Sequence, residues 1–267
     1  MSSGDGMPAR TKVSQWLTRP WVGAIVGFAL LLVTWWLYSA SLPSETALPS
    51  PVTTIRRMFE DGWSFYGPNL ASTLSRAGQG YLWGNLLALA IAAIVFVIPA
   101  LEQVVTQLGV LSQCLPITAV GPIIMVIFGG RSAAIFLAAL LVFFTTLVGT
   151  VLGMRSAHPA SLDLIAAYGG GNLDRIFKVQ LVAALPAMFT ALKIAVPGAV
   201  LGAIVGEYLG GIDSGLGVAL NAAQRSVDPA RAWGVSIVAA LIALGGYGLV
   251  ELLGRLATPW APRSGNR

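Results

Sequence analysis

Long stretches without a charged residue dominate this chain of 267 residues. Four of them contain 25, 25, 28 and 23 residues, lying between Arg19 and Glu45, Arg76 and Glu102, Glu102 and Arg131, and Arg131 and Arg155. Each exceeds the roughly 20 apolar residues that an α-helix needs to cross a bilayer. Two further apolar segments, at about 187–209 and 233–253, contain isolated charges. The sequence therefore predicts an all-α integral membrane protein with about six transmembrane helices.

The composition narrows the chemistry that the chain can perform. Only 10% of its residues are charged, compared with roughly 25% in soluble proteins. The single cysteine, Cys114, and the single histidine, His158, provide neither an internal disulfide nor a set of metal ligands. No lysine follows a glycine, so the Gly-Lys-Ser/Thr core of a phosphate-binding loop is missing. We therefore expect no enzyme, and nucleotide-driven work would need a separate ATPase chain.

The distribution of Lys and Arg predicts the orientation. With both termini in the cytoplasm, the inner segments hold nine of these residues and the outer segments six. Because cytoplasmic loops are normally the more basic ones, we expect a multi-pass protein of the cytoplasmic membrane with both termini inside. The same bias explains the net charge of +5 without nucleic acid as a partner. The predicted regions are a cytoplasmic N-terminal tail (1–20), a first transmembrane helix (21–41), an outer loop with an amphipathic helix (42–66), the main transmembrane domain (67–254) and a cytoplasmic C-terminal tail (255–267).

The outer loop contains the start of a helix. Ser50 is a suitable N-cap and Pro51 suits the first helical position. After them, apolar residues recur at helical spacing beside several charges; they are Val52, Ile55, Phe59 and Trp63. This pattern predicts an amphipathic helix that lies either on the membrane surface or on the outer ends of the protein's own helices.

The inner loop between the fourth and fifth spans also has a regular pattern. Pro159 is suited to open a short helix, and Asp163 lies in its early turns, where a negative charge complements the helix dipole. A triplet of glycines ends this helix, and a second turn leads to the next span; these residues are Gly169, Gly170 and Gly171, then Arg175 and Lys178. The segment is either an elbow on which a partner docks or a surface hairpin without a partner.

From Asp163 to Leu181 this loop resembles the EAA loop of binding-protein-dependent ABC transporter permeases. That motif reads Glu-Ala-Ala, three residues, Gly, nine residues and Ile-x-Leu-Pro. The same spacing occurs here with Asp163 as the acid, Gly169 as the glycine, and Val179 and Leu181 as the apolar pair. The departures are Leu164 and Ile165 in place of the alanines and Val182 in place of the proline.

Other stretches extend the resemblance from about Leu48 to Trp260. In the family's order they are Leu48-Pro49-Ser50-Pro51, Leu115-Pro116-Ile117, Pro122 with Phe128-Gly129, Ala183-Ala-Leu-Pro186, Gly206-Glu207 and Ser214-Gly-Leu-Gly217. Together they are similar to the alkanesulfonate, taurine and nitrate branch of these permeases. The segment Phe128-Gly129-Gly130-Arg131 lacks the acid that often follows the Phe-Gly pair.

The resemblance implies a fold, partners and a mechanism. The fold is that of a type I ABC importer permease, with residues 67–254 as its transmembrane domain. Two permeases, either identical copies or a related pair, would form one pathway between two cytoplasmic ATPase subunits and an extracytoplasmic solute-binding protein. We expect a homodimer. The partner ATPase would use ATP and Mg, and this chain would bind no cofactor. In this scheme the inner loop transmits force and contacts no solute.

Several residues within the spans are candidates for the pathway or its gate. Gly198, Gly202 and Gly206 form a stripe that suits either a contact between permeases or packing within one chain. Lys193 either attracts an anionic solute or extends to the inner interface, and Glu207 is expected to fix the outer mouth. The third span is expected to bend beside a gate or merely to kink, and its candidates are Pro116, Thr118 and Pro122.

Two other functions compete with the importer: a secondary carrier or channel without an ATPase, and a scaffold subunit that transports nothing. The leading prediction for the cargo is a small anion such as an alkanesulfonate, taurine or nitrate. A thiamine-precursor pyrimidine and an aromatic acid are alternative cargoes.

Overall fold

A computed structural model describes residues 20–41, 48–113, 116–210 and 212–260. Within these ranges the chain is helical and has no β-strand. A 3-10 turn at Pro99–Leu101 and a π-helical turn at Ile176–Gln180 interrupt the α-helices. The α-helices are α1 (Pro20–Ser41), α2 (Pro51–Val97), α3 (Glu102–Gln113), α4 (Ile117–Phe128), α5 (Gly130–Met154), α6 (Pro159–Ala167), α7 (Asn172–Arg175), α8 (Leu181–Leu209), α9 (Leu216–Arg225) and α10 (Pro229–Ala257).

Five stretches of helix in the described ranges are long and apolar enough to cross a membrane. This confirms the prediction of an all-α membrane protein. The stretches are Val22–Ser41, Pro51–Val97, Gly130–Met154, Leu173–Leu209 and Pro229–Ala257.

The third predicted span, between Glu102 and Arg131, is not one continuous helix. It consists of α3 and α4, which have 12 residues each and are therefore only about 18 Å long. Pro116, which has no backbone N–H, occupies the N-cap position of α4. Pro122 lies inside α4, and Cys114 and Leu115 lie outside the described residues. The expected six spans therefore become five long helices and one broken pair.

The predicted start of the outer helix is confirmed. The Ser50 hydroxyl accepts a hydrogen bond from the Thr53 backbone N–H at 3.1 Å, and Pro51 is the first helical residue. This helix does not end before the second span, since α2 continues for 47 residues. Gly62 bends it with φ 64° and ψ −175°. The predicted boundary between residues 66 and 67 lies inside α2, just past this kink.

Small residues let α5 pack closely between α2 and α8. A Cβ atom added to Gly202 of α8 would lie 2.6 Å from the Cα atom of Ala138, and one added to Gly206 would lie 2.4 Å from that of Ala134. On the side of α2, a Cβ atom on Gly84 would lie 2.5 Å from the carbonyl oxygen of Ala139. Such close approach is typical of helices packed inside a membrane.

Two polar regions lie at opposite ends of this bundle. Residues 155–180, called the elbow below, join the end of α5 to the start of α8. The far end contains the end of α8, the starts of α2 and α10, and α9. Any partner at the elbow is therefore separated from any partner at the far end by the length of the membrane helices.

Candidate functional site

The first residues of the elbow tie it to the bundle. The Ser156 hydroxyl lies 2.6 Å from the carbonyl oxygen of Gly153 and 2.9 Å from that of Ala183, which belongs to α8. Arg155 pairs with Glu102 at the start of α3. These contacts join the end of α5 to the helices on both sides of it.

The short helix α6 is capped at both ends. At its start, Nδ1 of His158 accepts from the Ala160 N–H at 3.3 Å, and Pro159 is the first helical residue. At its end, the N–H of Gly169 donates to Ala166 at 3.0 Å, and the N–H of Gly170 donates to Ile165 at 2.9 Å. These two bonds form the Schellman motif that satisfies the last carbonyls of a helix.

The three glycines of the elbow have different roles. Gly169 has φ 76°, a conformation that favours glycine. A Cβ atom on Gly170 would lie 2.5 Å from the Cγ2 atom of Ile165, so there is no space for a larger residue at position 170. Gly171 has no atom within 4 Å of an added Cβ and no positive φ. The backbone therefore requires glycine at the first two positions only.

The second half of the elbow turns the chain into α8. Asp174 accepts from the Gly171 N–H at 3.3 Å and pairs with Lys178 at 2.6 Å. The backbone N–H of Arg175 donates to the carbonyl of Gly171 at 3.2 Å. The π-helical turn that follows contains Val179, which is half-buried, and Leu181 of α8 is 37% exposed. Local contacts thus fix this turn.

The elbow exposes four large apolar side chains, together named the knob here. Its members are Leu164 (57% exposed), Tyr168 (86%), Leu173 (64%) and Phe177 (63%). No residue of α6 is buried. Asp163 is exposed beside the knob, whereas Ile165 is half-buried. An exposed apolar patch at the end of a bundle is typical of a protein-binding surface.

The EAA-like motif of the sequence contains only part of the knob. Leu164 was predicted, but Tyr168, Leu173 and Phe177 were not. Their signal is the presence of large apolar residues on both sides of the glycine triplet in an otherwise polar loop.

Glu207 is the centre of a buried network at the far end. Its side chain accepts from Arg76 at 2.7 Å and from the Thr73 hydroxyl at 2.8 Å. The backbone N–H of Gly217 also donates to it, at 3.0 Å, and Arg76 donates to the Ser214 carbonyl at 2.6 Å. Glu207 therefore joins the end of α8 to α2 and to the start of α9, and Arg76 extends the network to the loop before α9. Its expected role at the outer mouth stays a prediction, and Arg76 is a partner that the sequence analysis missed.

Lys193 has a partner that the sequence analysis did not predict. Its Nζ atom lies 2.6 Å from Glu251 of α10 and 5.7 Å from the centre of the Tyr247 ring. Glu251 also accepts from Arg255 at 2.9 Å. The ammonium group is thus part of an ion-pair cluster between α8 and α10.

The other predicted pathway residues are dispersed. Gly202 and Gly206 pack against α5 within the chain, whereas an added Cβ on Gly198 would meet only Leu141, at 3.7 Å. Packing within one chain is thus the interpretation that the structure favours for the first two. Pro116 and Pro122 lie on the exposed surface of α4, and the side chain of Thr118 lies outside the described residues.

Comparison with known proteins decides the family. Residues 84–260 match the family described as the binding-protein-dependent transport system inner membrane component. This chain belongs to that family. It is therefore the permease subunit of an ABC importer, a transport subunit and not an enzyme, which works with ATPase and solute-binding partners.

Individual relatives cover almost the whole permease. The riboflavin transport system permease protein RibX of Chloroflexus aurantiacus is 32% identical over 94% of this chain and 94% of its own length. The formylaminopyrimidine transport permease protein ThiX of Halalkalibacterium halodurans is 27% identical over 87% of this chain and 93% of its own length. The taurine transport system permease protein TauC of Escherichia coli is 24% identical over 91% of each chain.

Proposed function

We propose that the elbow of this permease docks a cytoplasmic ATPase, and that two copies of the permease form one solute pathway. The observation that carries the proposal is the knob. Its four apolar side chains are more than half exposed and lie next to a capped turn of fixed backbone shape. A rigid apolar surface of this kind suits insertion into a cleft of a partner protein.

The arrangement of the complex follows from this docking. Two ATPase subunits would bind ATP and Mg on the cytoplasmic side, and a solute-binding protein would deliver cargo at the far end. Both termini of the permease would then lie in the cytoplasm, as the excess of basic residues in the inner segments suggests. Movement of the two elbows when the ATPase dimer closes would open the pathway towards the far end.

For the cargo, we propose an uncharged heteroaromatic compound, such as an aminopyrimidine, in preference to a small anion. The anion prediction came from the resemblance to the alkanesulfonate, taurine and nitrate branch, and Lys193 was the cation considered for attracting such a solute. Its pairing with Glu251 at 2.6 Å neutralises that charge. The names of the ThiX and RibX relatives support a ring compound, whereas that of the TauC relative supports a sulfonate.

The docking surface is tested by truncating the knob. Tyr168→Ala and Phe177→Ala should each weaken binding of the ATPase about thirtyfold and reduce its co-purification accordingly, because removing a central aromatic anchor from an interface typically costs about 2 kcal/mol. The chain should still enter the membrane, since neither side chain is buried. The measurement is quantitative mass spectrometry of the complex after gentle extraction of the tagged permease.

The matched control is Phe59→Ala at the far end, where the ring is 82% exposed. It should leave the amount of ATPase unchanged. Full ATPase recovery with both knob variants would contradict docking at the elbow. Solute transport by the permease alone in liposomes would instead support the carrier or channel.

The cargo is tested separately with the complete importer in proteoliposomes. ATP-dependent uptake of labelled formylaminopyrimidine is expected to exceed that of taurine and nitrate. The opposite order would restore the anion prediction and leave the elbow proposal intact.

A further inference from the structure

An apolar cleft with a volume of about 1350 Å³ lies between α1, the start of α2 and α10. Its walls include Phe28 and Leu31 of α1, Ile55 and Phe59 of α2, and Leu241 of α10. Neither the elbow nor the buried network around Glu207 contributes to it. The cleft is therefore separate from the surfaces to which the transport mechanism assigns a role.

Trp35 attaches the helix α1 to the rest of the protein. The ring of Trp35 stacks on Trp233 of α10 with 5.1 Å between the centroids, and its Nε1 atom donates to the Pro49 carbonyl at 3.1 Å. Elsewhere α1 turns large side chains into open space, with Phe28 64% and Leu31 62% exposed. Trp35 thus attaches one wall of the cleft to the bundle.

The position of the cleft indicates what fills it. Two of its walls, α1 and α10, are helices long and apolar enough to cross the membrane, so the cleft lies at the depth of the lipid hydrocarbon. Water in a cleft lined by apolar side chains is unfavourable. Acyl chains are the apolar groups present at this depth at the highest concentration, and filling by them is favoured by mass action.

Two opposite charges lie on α2 next to residues that line the cleft. Arg56 and Glu60 follow the lining residues Ile55 and Phe59 in sequence, and their side chains are 81% and 48% exposed. They lie 3.0 Å apart. A zwitterionic headgroup has the complementary arrangement, because its phosphate can pair with the guanidinium and its amine with the carboxylate.

We propose that this cleft binds a zwitterionic phospholipid of the leaflet at the far end, with acyl chains between α1 and α10 and the headgroup at Arg56 and Glu60. The lipid completes the packing of α1 against the bundle. This binding is independent of the docking of the ATPase and of the identity of the cargo.

The test is native mass spectrometry of the complete complex, extracted in mild detergent from membranes that contain phosphatidylethanolamine. The wild type should retain one phospholipid for each permease chain. Leu241→Trp places a larger side chain in the cleft and should lower this retention about tenfold, as expected when a tail loses the burial of about two methylene groups. Arg56→Gln should lower retention less and should reduce the preference for phosphatidylethanolamine over a neutral diacylglycerol.

The matched control is Leu252→Trp, on the same helix but outside the cleft and 54% exposed. It should retain lipid like the wild type. Equal retention by both tryptophan variants would overturn the proposal. So would a disulfide formed readily between cysteines introduced at Leu31 of two permease copies, because it would assign the cleft to a second chain. ATPase content serves as the measure that the complex is intact.

Discussion

Two helices at opposite ends of this permease finish with the same backbone turn, built from different residues. At the elbow, Gly169 and Gly170 donate to the last carbonyls of α6, and Gly169 has φ 76°. At the far end, Val227 donates to Gln224 at 3.2 Å and Asp228 donates to Ala223 at 2.9 Å, which closes α9. Val227 has φ 54°. Both turns are Schellman motifs, but only the first has the residue that this conformation favours.

The difference shows what determines the shape of each end. A β-branched residue with positive φ is strained by roughly 1–2 kcal/mol, so surrounding contacts must hold the turn at Val227. Asp228 provides them by pairing with Arg57 at 2.8 Å, while Arg231 pairs with Asp61 at 2.5 Å. The far end is thus shaped by contacts between distant segments, whereas the elbow is shaped by its own backbone. If the elbow docks a partner as proposed, this local bonding would let it keep its form as the partner moves.

The largest loss of stability is expected from breaking the buried network around Glu207 at the far end. Glu207→Gln removes the charge that compensates the buried guanidinium of Arg76. We expect the free energy of unfolding to fall by about 3 kcal/mol, the lower range for breaking a buried ion pair. The measurement is thermal and denaturant unfolding of the purified permease in detergent.

The control for this variant is Glu60→Gln, which removes an exposed partner of Arg56. It should lower the free energy of unfolding by less than about 0.5 kcal/mol, as is usual when an exposed ion pair is removed. If the two variants unfold alike, long-range contacts do not determine the shape of the far end.

A smaller loss of stability is expected from a substitution at the elbow, and it should be confined to the end of α6. Gly169→Ala places a side chain at φ 76°, which should destabilise the end of α6 by about 1 kcal/mol. Hydrogen exchange of the amides in residues 164–170 should become about fivefold faster, since 1.4 kcal/mol corresponds to a factor of ten. Unfolding of the whole permease should change little, because α6 has no buried residue.

Gly171→Ala is the matched control in the same triplet. An added Cβ there meets no atom within 4 Å, so exchange in residues 164–170 should match the wild type. Equal acceleration by both variants would mean that the triplet acts through general flexibility and not through the turn at Gly169.

The sequence predicted features that depend on local chemistry or composition. The long uncharged stretches indicated the membrane helices, and Ser50 with Pro51 indicated the start of α2, because capping involves neighbouring residues only. The break between α3 and α4 was underestimated, since a proline in an apolar stretch either kinks or ends a helix depending on tertiary contacts. The functional roles assigned to residues from the EAA motif stay predictions.

Partners across long sequence distances were not predictable from one sequence. Arg76 and Glu207 are separated by 131 positions, and the sequence alone did not indicate that they are partners. Likewise, Lys193 was considered in the sequence analysis without its partner Glu251. A charge within an apolar span indicates that a partner is needed, but only the packing of the helices identifies it.

The smallest expected effect comes from making the two turns alike. Val227→Gly removes the strain of roughly 1–2 kcal/mol but adds about 0.5–1 kcal/mol of backbone entropy to the unfolded chain. No packing is lost, because the Val227 side chain is 84% exposed. We therefore expect a net increase of about 0.5–1 kcal/mol in the free energy of unfolding, measured as for Glu207→Gln.

The control is Val227→Ala, which shortens the side chain but keeps a Cβ atom at positive φ. Val227→Ala should raise the free energy of unfolding by less than half as much as Val227→Gly, because the clash of Cβ with the backbone persists. If glycine stabilises the permease and leaves transport unchanged, the valine is only tolerated by the ion pairs around Asp228. If Val227→Gly stabilises the permease but lowers ATP-driven uptake, the exposed valine contributes a contact at the far end that offsets its strain. The turns at Gly169 and Val227 would then differ because they meet different partners.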